Sequence, residues 1–162
     1  MTDHEPAQHF AAPKLLLLND AALGLPPVCT ALAPGETALV AGPSRVRLAL
    51  AELALPGIIP IWTDFRRSAS LTALLANVRT EGVLRRLVLA ANGENAEDVF
   101  AVMRTILTFL PSLRKTPEAE VRLFVSDGPA KASLTAFLRR FSETGLPVHL
   151  KTAPASALRL AA

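Results

Sequence analysis

A chain of 162 residues is long enough for one domain with a substantial core. Hydrophobic residues make up 51% and charged residues only 19%, a balance that suits an α/β domain with strands buried on both faces, or one with an apolar face left for a partner. The net charge of +3 includes no dense basic tract, only doublets such as Arg66-Arg67, Arg85-Arg86 and Arg139-Arg140, and with 7 Phe, 1 Trp and no Tyr a nucleic-acid surface is disfavoured.

In chain order, Met1–Ala12 reads as a flexible tail ahead of a single domain spanning 13–154, and 155–162 reads as a C-terminal tail. Lys14–Leu18 is a first strand. The turn Asn19–Leu25 leads through Pro26-Pro27 into a short helix, Val28–Ala33, stopped by Pro34-Gly35. Strand two is Thr37–Ala41. Ser44 is placed to cap a helix over Arg45–Leu55, which Pro56-Gly57 ends. Strand three is Ile58–Trp62, and Ser68 or Ser70 caps a helix running to about Thr80, closed by Gly82. Strand four is Arg86–Ala90, ending in Ala91-Asn92-Gly93. A long helix follows, Ala96–Leu113, with Val99, Val102, Met103, Ile106, Leu110 and Leu113 on one stripe. Strand five, Val121–Val125, gives way to Ser126-Asp127-Gly128 and a helix from Pro129. Strand six is Val148–Leu150, and the end from Thr152 reads as frayed.

Alternating strands and helices call for a Rossmann-like, doubly wound parallel sheet of about six strands with helices on both faces. The prolines test the order. Proline cannot donate to a strand ladder, so it belongs on edges or at strand starts. Of the 13 prolines, only Pro60 falls inside a predicted strand, and Pro147 immediately precedes one. Strands three and six are the two edges of the order 3-2-1-4-5-6, which both prolines fit.

Cys29 is the single cysteine, which leaves no disulfide within the chain and no thiolate cluster, and His4, His9 and His149 have no metal-ligand spacing. No metal is expected. The run Leu15–Leu18 is too short to cross a membrane. The polar, acidic start MTDHEPAQHF is unlike a targeting peptide, so a cytoplasmic location is expected.

Several segments together resemble the short-chain dehydrogenase/reductase family, from Lys14 to about Pro154. LLLLNDAALGLP stands where the family has its first strand and TGxxxGxG turn. LVAGPSRVRLALAEL is similar to the second strand and helix, IPIWTDF to the third strand ending in an Asp, and GVLRRLVLAANG to the fourth strand and its NNAG. DGPAKASLTAFLRRFSETGLPVHLKTAP resembles the YxxxK helix, the next strand and the proline beyond. The resemblance implies NAD or NADP as cofactor, held around Gly24, Arg45, Asp64, Asn92 and Gly93. It implies Lys131, Ser126 and Asp127 as the catalytic positions. It also implies dimerisation, or a protein partner, through helices 96–113 and 129–144.

The departures from the pattern weigh against chemistry. Asp20 and Pro26 replace two glycines of the phosphate turn, and Pro26-Pro27 remove backbone donors that pyrophosphate needs. Asp127 stands at the position of the family's Tyr, and no Tyr occurs anywhere in the sequence. Asp127 could instead cap its helix and pair with Lys131 at i,i+4. Asp64 could close strand three as an Asx turn, and Arg45 could be an ordinary solvated residue of a helix start. A degenerate interaction, assembly or regulatory module is therefore the expected function. A reduced oxidoreductase and a nucleotide sensor without chemistry are the alternatives.

Overall fold

The computed structural model describes residues 12–141 and 145–159. The strand Lys14–Asn19 (β1) owes its central place to four consecutive leucines, all essentially inaccessible to water. Successive side chains of a strand point to opposite faces. Leu15 and Leu17 therefore enter one core, and Leu16 and Leu18 the other.

Around β1 lie Glu36–Gly42 (β2), Ile59–Trp62 (β3), Val83–Ala91 (β4), Glu120–Val125 (β5) and Val148–Thr152 (β6). The order is β3-β2-β1-β4-β5-β6 and every pairing is parallel. Pro60 sits in edge strand β3 and Pro147 directly before edge strand β6, where the missing N–H is tolerated.

The helices are Arg45–Ala54 (α1), Ser68–Glu81 (α2), Ala96–Arg114 (α3), Pro129–Arg139 (α4) and Ala155–Arg159 (α5). On one face, α2, α3 and α4 bury Leu74, Val78, Ile106, Phe109, Leu113 and Leu134 against the odd leucines of β1. The expected stripe of α3 is buried throughout, joined by Phe109 at its centre. The opposite face is covered more thinly, by α1, α5 and a 3₁₀ turn over Asp20–Gly24.

Some local expectations change. The expected helix Val28–Ala33 is instead a second 3₁₀ turn, Pro27–Cys29, followed by loop. Neither Ser68 nor Ser70 caps α2: Arg67, whose guanidinium has no acceptor to offer, holds the cap position without a side-chain bond, and the Ser70 hydroxyl accepts the Asp64 N–H at 2.8 Å instead. Asp127 does not cap α4, whose first turn follows Gly128 with no side-chain bond. The C-terminal segment is not all tail: β6 continues to Thr152 and α5 folds back with Leu158 buried. Ser44 caps α1 as expected, accepting the Arg47 N–H at 3.3 Å. Residues 1–11, 142–144 and 160–162 lie outside the described residues, as does most of the expected N-terminal tail; the helix expected over 129–144 ends earlier, at Arg139, with Arg140 and Phe141 already in a turn. Among the described residues, no helix is long and apolar enough to cross a membrane.

Candidate functional site

In an open parallel sheet the crevice lies where neighbouring strands connect in opposite directions, here between β1 and β4. A cavity of about 670 Å³ occupies that place, along the carboxyl ends of β1, β3 and β4. Trp62, Asp64 and Asn92 stand in its walls, as does the first turn of α3. Four carboxylates (Asp20, Asp64, Glu97, Asp98) face two guanidinium groups (Arg47, Arg66), so the lining does not favour an anion.

Asn19 ends β1 and turns its side chain onto β4. Its Nδ2 donates to the Ala90 carbonyl at 2.8 Å, and its Oδ1 accepts the Ala90 N–H at 2.9 Å. Asp20 follows, only 7% exposed, with its carboxyl packed on the Cα of Gly42 at the end of β2. Arg47 Nη1 approaches Asp20 Oδ2 to 3.1 Å, close enough for charge pairing, yet its N–H is not directed at that oxygen, which accepts no hydrogen bond. Burial raises the Asp20 carboxyl above its ordinary value, and Arg47 and the Ala21 N–H only partly counter it. Asp98 is raised too, by desolvation, against the opposing effects of the Asn92 N–H and Arg66.

Gly24, which the resemblance assigns to a phosphate turn, faces protein: a Cβ there would run into the Ala157 carbonyl of α5. Leu158 of α5 is buried with Ala22 and Leu25. The turn is therefore overlaid by the chain's own C-terminal helix.

Asp64 lies on the cavity wall as an Asx turn, its Oδ1 accepting the Arg66 N–H at 3.1 Å and its Oδ2 lying 3.5 Å from Arg67 Nε. Arg45 is exposed beside the cavity, its guanidinium 5.9 Å from the Trp62 ring centre. Asn92 and Gly93 form a turn locked to β5. The Ser126 hydroxyl donates to Asn92 Oδ1 at 3.1 Å and accepts the Gly93 N–H at 2.9 Å. That hydroxyl is buried and has both hydrogen-bonding roles committed. Lys131 Nζ pairs with Asp127 Oδ1 at 3.1 Å and donates to Thr152 Oγ1 at 2.6 Å. The structure brings Asp64, Asn92 and Trp62 to the crevice, whereas Ser126, Asp127 and Lys131 stand outside its lining.

Sequence reasoning named none of Asn19, Arg47, Glu97 or Asp98 as site residues. A polar pair ending a strand of four leucines was the available signal for Asn19-Asp20. Among the described residues no group of His, Cys, Asp and Glu could hold a metal ion.

No family model matches the chain, and no curated protein matches it. Solved structures do. A short-chain dehydrogenase/reductase from Saccharomyces cerevisiae superposes with a TM-score of 0.61 at 19% identity, over 81% of this chain and 64% of that one. One from Burkholderia phymatum, solved in complex with NAD, gives 0.61 at 17%, over 87% and 64%. A short-chain dehydrogenase from Rhodopseudomonas palustris gives 0.59 at 12%, over 91% and 89%. At these identities the likeness is one of fold: the chain has a short-chain dehydrogenase/reductase-like Rossmann fold, and spans less than two thirds of the yeast and Burkholderia chains.

Proposed function

We propose that this SDR-like Rossmann protein has given up dinucleotide chemistry and works as an interaction, assembly or regulatory module. Asp20 carries the reading. It stands where the resemblance expects a phosphate-turn glycine, its carboxyl fills the space over Gly42, and it opposes the charge of a pyrophosphate. The overlay of α5 on Gly24 supports the same conclusion, as does the commitment of Ser126 to a structural turn. The partner surface implied by the resemblance lies on α3 and α4, with Phe100 and Leu107 outward on α3.

A second reading, a nucleotide sensor or a reduced NAD(P)-dependent oxidoreductase, rests on the crevice itself. Its walls keep Trp62, Asp64 and Asn92 together, and the similar Burkholderia structure contains NAD. Trp62 separates the two readings. With no Tyr in the chain, its fluorescence is selectively excited, and quenching with energy transfer reports a bound reduced nicotinamide. A flat titration with NADH and with NADPH is the expected result. A saturable signal reversed by NAD⁺ or NADP⁺ would overturn the proposal, and oxidation of NAD(P)H lost on Lys131→Ala would establish the oxidoreductase.

A further inference from the structure

Helix α1 is apolar on two sides. Leu48 and Ala51 are buried toward the sheet, while Val46, Leu50 and Leu53, spaced i, i+4, i+7, are 70%, 60% and 80% exposed. Ala49, also exposed, lies among them. A single exposed leucine needs no explanation. An unbroken apolar stripe along the outer side of a ten-residue helix marks a contact surface. The outer sides of α3 and α4 carry nothing comparable. On α3, Arg104 interrupts the exposed Phe100, Leu107 and Pro111, and on α4 the exposed positions are Pro129, Ala132, Ser133, Ala136 and Arg139, with no large aliphatic side chain among them.

The charges beside the stripe identify its occupant. Arg45 and Glu52 are both exposed and lie seven residues apart, within about 20° of each other on the same flank of α1. Among the described residues neither belongs to an ion pair within the chain. An isologous contact requires a surface complementary to itself. Antiparallel packing of two α1 helices about a twofold axis sets Val46 against Leu53 and Ala49 against Leu50, with the small Ala49 letting the helices approach closely. The same axis brings Arg45 of each copy beside Glu52 of the other. A stripe designed for an unrelated helix has no need of that self-complementarity.

The geometry points to a homodimer joined through α1, Val46, Leu50 and Leu53 forming its core and the two Arg45–Glu52 pairs fixing its antiparallel direction. The inference rests on the reading of the chain as an interaction module but moves the contact away from α3 and α4. It fails separately from that reading, whose own test is the nicotinamide titration.

Sedimentation equilibrium of the full chain tests it. The wild type is expected to dimerise, and Leu50→Glu to weaken the dimer about 30-fold or more, as loss of a central interface anchor does. Phe100→Glu, on α3, should leave it unchanged. Arg45→Glu and Glu52→Arg should each weaken association, and the double exchange should restore it. All these positions are exposed, so an unchanged circular dichroism spectrum and melting temperature certify the fold. A wild type that stays monomeric up to about 0.5 mM overturns the inference. So does a dimer insensitive to Leu50→Glu, one lost on Phe100→Glu, or a double exchange that does not rescue.

Discussion

The carboxyl of Asp20 and the Cα of Gly42 touch across the ends of β1 and β2: a Cβ added at Gly42 would fall 2.7 Å from Asp20 Cγ. Gly42→Ala must therefore push the Asp20 side chain out of its place, at a cost of about 1–3 kcal/mol, as overpacking typically does. Removing the obstacle should relieve the strain. The double variant Asp20→Ala/Gly42→Ala is expected to be markedly more stable than the sum of the single effects allows, in a double-mutant cycle measured by urea unfolding.

The same carboxyl imposes a pH dependence. Burial raises its pKa above the ordinary value more than Arg47 lowers it, so the folded chain holds this proton more tightly than the unfolded one. Its stabilising contribution is complete below the unfolded pKa and is lost as pH rises through the folded one. Asp20→Asn, which stays neutral, should gain in melting temperature relative to the wild type as pH rises from about 4 toward neutrality. Thermal melts of the two proteins across that range check it. A difference that shrinks with rising pH would contradict the assignment.

Much of the frame was legible because it follows from local rules. Pro60 and Pro147 located the sheet edges, the four leucines of β1 announced burial on both faces, and the α3 stripe had helical period. Asp64 and Asn92, which the resemblance named, line the crevice. What escaped depends on partners distant in sequence. The Asp20–Arg47 pair exists only once α1 lies beside the first turn. The cap expected of Ser70 failed because its hydroxyl accepts the Asp64 N–H instead, whereas Asp127 leaves the cap position to Gly128 but keeps the i,i+4 pair with Lys131 that the sequence suggested. The helix α5 is too short to be stable alone and becomes visible only when the phosphate turn provides a surface for Leu158.

Ser126 and Lys131 should differ in how much stability their substitution costs. Ser126→Ala leaves the buried Gly93 N–H without its acceptor and releases Asn92, a loss of about 1–3 kcal/mol. Lys131→Ala removes a pair whose Asp127 side chain is 86% exposed, and should cost less than about 1 kcal/mol. Denaturant unfolding of both variants distinguishes a structural serine from a peripheral lysine.

Beneath the sheet's amino edge, Arg86 of β4 holds Glu36 of β2 in a bidentate pair and also reaches the Ala31 carbonyl. The Glu36 side chain is 1% exposed and that of Arg86 14%, and this bonding raises the Arg86 guanidinium further above its ordinary value. Glu36→Ala strands a mostly buried cation and is expected to cost about 3–5 kcal/mol. Glu36→Leu combined with Arg86→Met, which leaves no charge behind, should recover most of that loss in the same unfolding assay.

Asn19 has a consequence for motion at the mouth of the crevice. Its carboxamide bonds Ala90 as a strand's own peptide group would, adding a rung to the β1–β4 ladder made from a side chain. The amide proton of Ala90, near the carboxyl end of β4, thereby gains an acceptor where the β1 backbone has ended. Its exchange with heavy water becomes a gauge of whether β1 and β4 ever part. Slow exchange there would describe a seam that stays sewn; fast exchange in the folded chain would reveal a fold that breathes at the mouth of its crevice.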